Sequence, residues 1–145
     1  MFKHLLVPTD GSPLSESAAQ SAVQLAKSLS ARVTAITVST PFHVFTARYV
    51  MLADTEDTYN DDCERRARKS LEVVRKAAES AGVSFEGMHV FHEHPHAAII
   101  EAADKKGCDA ICMASHGRAG MIALVVGSET MKVVTHSKIP VVVWR

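Results

Sequence analysis

MASHGRAGMIALVVGSET, residues 113–130, joins a strand pattern to a helix pattern. It begins where Asp109–Met113 ends, a run with the composition of a buried strand, and it leads into a predicted helix over about Ser128–His136. Glycine and small hydroxyl residues at such a strand-to-helix turn leave backbone N–H groups free to point at an anion. The segment therefore predicts an α/β element that carries a candidate phosphate-binding turn.

Strand and helix patterns alternate along the rest of the chain. The predicted strands are Lys3–Val7, Arg32–Ser39, Val83–Phe91, Asp109–Ser115 and Ile139–Trp144. The predicted helices, with apolar residues every three or four positions, begin near Pro13, Thr58, His96 and Ser128. Ser12 is a suitable N-cap for the first helix, and Gly82 and Gly107 are suitable C-terminal stops. This alternation predicts an α/β fold, a five-stranded and mostly parallel sheet with helices on both faces.

Two unusual turns follow the first and the fourth predicted strands, at Pro8–Ser12 and Ala114–Gly120. In an open α/β sheet the ligand binds beyond the carboxyl ends of the strands, where the strand order reverses. The first strand usually lies at that reversal, with the fourth as its neighbour across the crevice. We therefore expect the two turns to meet at one site of nucleotide size.

The residues of these turns have the chemistry that a phosphate site needs. Gly117 and Gly120 allow positive φ and close approach of the backbone to a ligand. Gly127 and Ser128 open the last helix, whose first N–H groups lack internal partners and carry the positive end of the helix dipole. Further polar groups are the hydroxyls of Ser115, Ser128 and Thr130, the guanidinium of Arg118 for a phosphate, and the carboxylate of Asp10 for a ribose hydroxyl or a nucleotide-borne Mg²⁺.

Two common nucleotide-binding motifs are missing from the sequence, together with the cationic residues that phosphoryl transfer uses. No Gly-Lys-Ser/Thr follows a glycine-rich run, and residues 9–12 lack the dinucleotide fingerprint. With no lysine placed for the β and γ phosphates and no arginine finger, we expect binding without fast turnover and no catalytic residues. His92-Glu93-His94-Pro95-His96 resembles a metal-binding run, but Pro95 is predicted to start a helix and turn His96 away, so we expect no metal site.

Length, charge and cysteine content restrict the protein class. The chain has 145 residues, which predicts a single domain over 1–145, and its zero formal net charge argues against nucleic acid as a partner. Met121–Val126, the longest apolar run near the motif, is too short to span a bilayer, and the N-terminus lacks the pattern of a signal peptide. Cys63, Cys108 and Cys112 are expected to be small buried apolar residues of a cytosolic protein.

The motifs resemble those of the universal stress protein family over nearly the whole chain: Val7–Ser12, Met113–Gly120, Gly127–Thr130 and Ile139–Val143. ATP-binding members carry Gly-x-x-Gly, nine residues, and then Gly-Ser or Gly-Thr. Gly117, the nine-residue spacer and Gly127-Ser128 match that pattern, whereas Ala114 replaces the first glycine. The departure weakens the expectation of ATP binding without cancelling it, because a methyl group there crowds a position where backbone alone should pass.

The resemblance implies a cytoplasmic homodimer with sheet order 3-2-1-4-5 that binds ATP, or AMP or ADP, with Mg²⁺ and without fast turnover. Adenine and ribose would meet Pro8, Thr9, Asp10 and the backbone of Val38. With Ala114 at the first glycine position, the phosphates would meet Ser115, His116, Gly117, Arg118, Gly120, Gly127, Ser128, Glu129 and Thr130.

Two apolar segments leave alternatives open. Val141–Trp144 is apolar without alternation, which predicts cover on both faces, yet the last strand would lie at a sheet edge. Pairing with the same strand of a second copy would cover the apolar faces and also protect the sheet edge. Packing within its own domain is the other possibility. Pro41–Asp57 is either a functional or partner-facing connection or a short helix packed on its own domain.

Two rival functions also remain at this stage. The first is a nucleotide-hydrolysing enzyme that uses Asp10 to hold a metal and His116 to transfer a proton. The second is a nucleotide-free dimeric adaptor, in which Ala114 closes the site and the dimer surface carries the function. The sequence does not identify a protein partner.

Overall fold

The fold is that of a computed structural model, which describes residues 1–48, 55–117 and 126–145. Within those ranges the strands are β1 (His4–Pro8), β2 (Arg32–Ser39), β3 (Phe85–Phe91), β4 (Ala110–Ala114) and β5 (Val141–Trp144). The helices are α1 (Pro13–Leu29), α2 (Phe42–Arg48), α3 (Glu56–Ala81), α4 (Pro95–Lys106) and α5 (Ser128–His136). All strand pairs are parallel and the order is β3-β2-β1-β4-β5, which confirms the expected sheet and its order.

The helix ends follow from local sequence. The Ser12 hydroxyl accepts a hydrogen bond from Ser15 N at 3.3 Å and caps α1, with Pro13 in the first turn, as predicted. Thr55 caps α3 in the same way, so the helix begins at Glu56, two residues before the predicted start near Thr58. Gly82 and Gly107 end α3 and α4 with φ of 70° and 65°, a left-handed conformation that favours glycine.

The connection over residues 41–57 begins as the short helix α2. The rings of Phe42 and Phe45 lie 5.5 and 4.7 Å from the ring of Tyr59, between centroids. The Tyr59 hydroxyl donates to Thr40 O at 2.6 Å, so α2 packs on the start of α3. The alternative of a short helix packed on its own domain is therefore confirmed for residues 42–48, while residues 49–54 lie outside the described part.

The two faces of the sheet are covered by different helices. Leu5 and Val7 pack into a core with residues of α1 and α3, whereas Leu6 packs with residues of α4 and α5. All three cysteines are buried, as expected, and burial raises the pKa of Cys108 to about 11 and that of Cys112 to about 12. No helix in the described ranges has both the length and the apolar character to cross a membrane.

His4 gives the fold a predictable acid sensitivity. Its side chain is buried, Nε2 lies 2.7 Å from Thr34 Oγ1, and Nδ1 has no partner among the described residues. Burial, and next the charge of Arg32, lower the pKa of His4 in the folded chain. The unfolded chain therefore takes up the proton first, and the free energy of unfolding falls as pH drops below about 6.5, by at most about 1.4 kcal/mol per pH unit for one proton.

We expect His4→Gln to flatten this loss of stability between pH 7 and pH 5. Urea unfolding at several pH values measures it, with His136→Gln as the control because His136 is an exposed histidine on α5. An unchanged pH slope in His4→Gln would contradict the assignment.

Candidate functional site

A cleft of about 380 Å³ opens at the carboxyl ends of β1, β2 and β4. This is the edge of the sheet at which ligands bind in open α/β folds, and the volume lies within the usual range for small-molecule sites. The cleft is lined by Pro8, Thr9, Asp10, Ser15, Ile36, Val38, Pro95, Ile99, Met113, Ala114, His116, Gly117, Gly127, Ser128, Glu129 and Thr130.

The turn after β1 is held by its own polar side chains. Thr9 N donates to Ile36 O at 2.9 Å, and Thr9 O accepts from the Thr37 hydroxyl at 2.9 Å, so the turn begins as an extension of the β1–β2 pairing. Asp10 Oδ1 accepts from Ser12 N at 2.9 Å, and Gly11 between them has φ of 76°. These bonds fix the Asp10 carboxylate at the rim of the cleft.

The first residues after β4 lie against the start of α5. Gly127 N donates to Ser115 O at 2.7 Å, which brings the N-cap of α5 against the end of β4. A Cβ atom on Gly127 would lie 3.0 and 3.1 Å from His116 Cβ and Cα, so a side chain there would require His116 to shift by a few tenths of an ångström. Among the described residues, no side chain caps α5 at its N-cap Gly127. The first N–H groups of a helix lack partners within the helix, so they can receive an anion in the cleft.

The two turns meet at Gly117 and Asp10. A Cβ atom on Gly117 would overlap Asp10 Oδ2 and lie 3.4 Å from Asp10 Cγ. The predicted convergence of the turns is therefore present in the structure. The expected positive φ at Gly117 is wrong, because the described glycines with positive φ are Gly11, Gly82 and Gly107. Gly117 is required for close approach of the Asp10 carboxylate.

Most of the predicted site residues line this one cleft. The predicted residues that do so are Pro8, Thr9, Asp10, Val38, Ala114, His116, Gly117, Gly127, Ser128, Glu129 and Thr130. Arg118 and Gly120 fall outside the described residues. Ser115 is 3 % exposed and lies behind the lining.

Hydroxyl groups near the turn after β4 already have partners within the protein. Ser115 Oγ lies 3.1 Å from His116 Nδ1, and the Thr130 hydroxyl donates to Ala114 O at 3.0 Å. Ser115 N also donates to Trp144 O at 2.7 Å, which extends the β4–β5 pairing by one residue. These contacts shape the turn, and a role of the two hydroxyls as phosphate donors remains a prediction.

Glu129 ties the start of α5 to the start of α4. Its Oε2 accepts from His96 N at 2.9 Å and lies 3.0 Å from His96 Nδ1, and its Oε1 accepts from Lys132 Nζ at 3.0 Å. Burial acts to raise the pKa of Glu129, but the hydrogen bonds from Lys132 and His96 outweigh it and lower the pKa. The carboxylate is therefore ionised at neutral pH and bridges the two helix N-termini beside the cleft.

Sequence reasoning missed the apolar floor of the cleft and its α4 wall. The additional lining residues are Ser15, Ile36, Pro95, Ile99 and Met113. Ile36 pairs with Pro8 in the β1–β2 register, so it was open to inference once the two strands were aligned. Ile99 belongs to the buried face of α4, and nothing in the sequence indicates that this face reaches the cleft.

The histidine-rich segment does not assemble a metal site. Adjacent imidazole rings of His92, His94, His96 and His136 have centroids 5.9 to 6.2 Å apart. Pro95 begins α4 and His96 turns to Glu129 of α5. Among the residues that the structure describes, no group of three or more His, Cys, Asp or Glu side chains could hold a metal ion.

Comparison with known proteins gives a consistent assignment. The sequence model of the universal stress protein family matches residues 1–145. Universal stress protein MJ0531 of Methanocaldococcus jannaschii is 30% identical over 145 residues, which is 99% of this chain and 82% of the relative. Universal stress protein YxiE of Bacillus subtilis is 30% identical over 149 residues and is covered over its full length, as is this chain.

Solved structures show the same fold. Protein MJ0577 of M. jannaschii, at 26% identity, has a TM-score of 0.79 over 99% of this chain and 95% of its own. A universal stress protein in complex with cAMP has a TM-score of 0.70 at 23% identity, covering 99% and 97% of the two chains. The universal stress protein of Archaeoglobus fulgidus in complex with dAMP also has a TM-score of 0.70. It is 14% identical, and the match covers 100% of this chain and 98% of the other.

Proposed function

This chain belongs to the universal stress protein family, and we propose that it is a regulatory protein that binds an adenine nucleotide in the cleft between its two turns. The observation that carries the proposal is the start of α5. Its N-cap Gly127 has no side-chain cap within the described part of the chain, lines the cleft together with Ser128, and is a glycine whose added Cβ would press against His116. Bare amides and a missing side chain are the features that admit a phosphate group.

The proposed ligand is ATP, with AMP or ADP as ligands of the same site. Structures of family members with cAMP and dAMP support an adenine nucleotide. Val38 and Ile36 offer apolar contact for a base, and the phosphates would extend to Gly127 and Ser128. Mg²⁺ would arrive with the phosphates and take Asp10 as one ligand, since the described residues provide no ready cluster for a metal ion.

We propose binding without catalysis. The contacts of the turn pair His116 Nδ1 with the Ser115 hydroxyl and pair Asp10 with a backbone amide, so both groups are held by the turns. Purified protein that hydrolysed ATP at several turnovers per second would contradict this part of the proposal and favour the hydrolase. His116→Ala would then lower the rate far more than the affinity.

The proposed assembly is a homodimer through β5, in the cytoplasm. β5 pairs with β4 on one side, lies at the edge of the sheet, and its apolar residues Val141–Trp144 are half-buried in a single chain. Light scattering that gave the mass of one chain would contradict the dimer. The buried, unpaired thiols fit a reducing compartment.

Gently purified protein is expected to carry an adenine nucleotide that native mass spectrometry detects. Ala114 lines the cleft at the first position of the glycine motif, where its methyl group would crowd a ligand that a glycine would admit. We therefore expect Ala114→Gly to tighten nucleotide binding by about 2- to 10-fold in titration calorimetry, a gain of about 0.4–1.4 kcal/mol. Protein that neither retains nor binds AMP, ADP or ATP in wild-type or Ala114→Gly form would support the nucleotide-free adaptor.

A further inference from the structure

We infer that Glu129 sets the preference of the cleft for the number of phosphate charges on its nucleotide. The inference rests on the nucleotide-binding role proposed above and deepens it. Glu129 stands in the first turn of α5 and lines the cleft, beside the backbone amides that the phosphates would use. Its carboxylate and a ligand phosphate therefore compete for the same positive helix end.

Three donors hold Glu129 in place. His96 N and His96 Nδ1 both lie within 3.0 Å of Oε2, and Lys132 Nζ lies 3.0 Å from Oε1. A carboxylate that is fastened at both oxygens does not swing away when an anion arrives. His96 and Lys132 belong to α4 and α5, so moving Glu129 would break contacts to both helices.

The charge of Glu129 gives this competition its direction. Among the described residues that line the cleft, Glu129 brings a carboxylate to the first turn of α5. The hydrogen bonds that lower the pKa of Glu129 keep it charged at neutral pH. A ligand with more negative charge therefore meets more repulsion from this carboxylate.

The consequence is a graded selectivity. Without a divalent cation, a nucleoside monophosphate meets less repulsion than a triphosphate carrying the same base and sugar. Mg²⁺ bound to the phosphates removes much of the difference, because it neutralises the additional charge. The identity of the base plays no part in this discrimination.

The test is a calorimetric series of adenosine, AMP, ADP and ATP at low ionic strength, with and without Mg²⁺, on wild type and Glu129→Gln. Glutamine keeps the shape of the side chain and an acceptor for His96 while it removes the charge. We expect Glu129→Gln to raise the Mg²⁺-free affinity for ATP by about 3- to 10-fold, that for AMP by less, and that for adenosine by under about 2-fold.

Glu86→Gln is the matched control, since Glu86 pairs with Lys106 near the amino end of β3, does not line the cleft, and its loss changes net charge equally. Lys132→Met is a second variant on an exposed side chain, and it should act in the opposite direction by leaving the Glu129 charge less compensated. Equal shifts for all four ligands in Glu129→Gln would assign the residue a structural role only and overturn the inference. Failure of wild type to bind any of the four ligands would instead overturn the proposed function.

Discussion

We expect Gly127→Val to lower the affinity of the cleft for a nucleotide by about 10- to 100-fold. The first side-chain atom alone would lie 3.1 Å from His116 Cα and 3.3 Å from Ser115 O, which are backbone atoms that cannot rotate aside. Overpacking of this kind costs about 1–3 kcal/mol of stability in the packed geometry. If the binding-competent geometry carries that cost, the affinity falls by about 10- to 100-fold. The change would shift Gly127 off its 2.7 Å hydrogen bond to Ser115 O and turn the α5 amides away from the cleft.

The control for this substitution is Gly87→Val on strand β3. A Cβ there would lie 3.3 Å from the ring of Phe85, a side chain that can move, and the position is exposed and outside the cleft. Titration calorimetry with AMP and ATP compares both variants with wild type. Unchanged affinity in Gly127→Val would show that the phosphates do not use the start of α5.

Leu6→Ala is expected to lower the free energy of unfolding by about 2–5 kcal/mol. Leu6 is fully buried in the middle of β1, where it packs with Ile36, Ile111 and Val133. These neighbours belong to three other elements that the sheet fixes in place, so they cannot close the cavity left by the removed atoms.

Urea unfolding monitored by circular dichroism measures this loss. Val134→Ala serves as the control, because Val134 is 46% exposed on α5 and its truncation should cost less than about 0.5 kcal/mol. A loss below 1 kcal/mol for Leu6→Ala would mean that the α4–α5 side of the sheet is far less tightly packed than the structure shows.

Local sequence signals predicted the elements that depend on local chemistry. Ser12 and Pro13 fix the start of α1, Gly82 and Gly107 fix the ends of α3 and α4, and residues 128–136 form α5 as expected. The convergence of the two turns was also predictable, since it follows from the parallel order of the strands. Chemistry within a few residues determines the helix ends, and the order of the strands determines the convergence of the turns.

Contacts between distant segments were not predictable from the sequence. Glu129 reaches His96 across 33 positions, and the need for glycine at 117 comes from the Asp10 carboxylate, more than a hundred residues away. Ser115 is a residue type typical of a phosphate-binding turn, yet its burial depends on how β5 and α5 pack around it. Such features depend on tertiary packing, which leaves no periodic signal in the sequence.

The peptide groups of Ser115 connect two distant parts of the molecule. Its amide bonds to Trp144, the last residue of β5, and its carbonyl bonds to Gly127, where α5 begins. The margin of the sheet and the rim of the cleft are thus joined through the backbone of one residue, with no rotatable side chain between them.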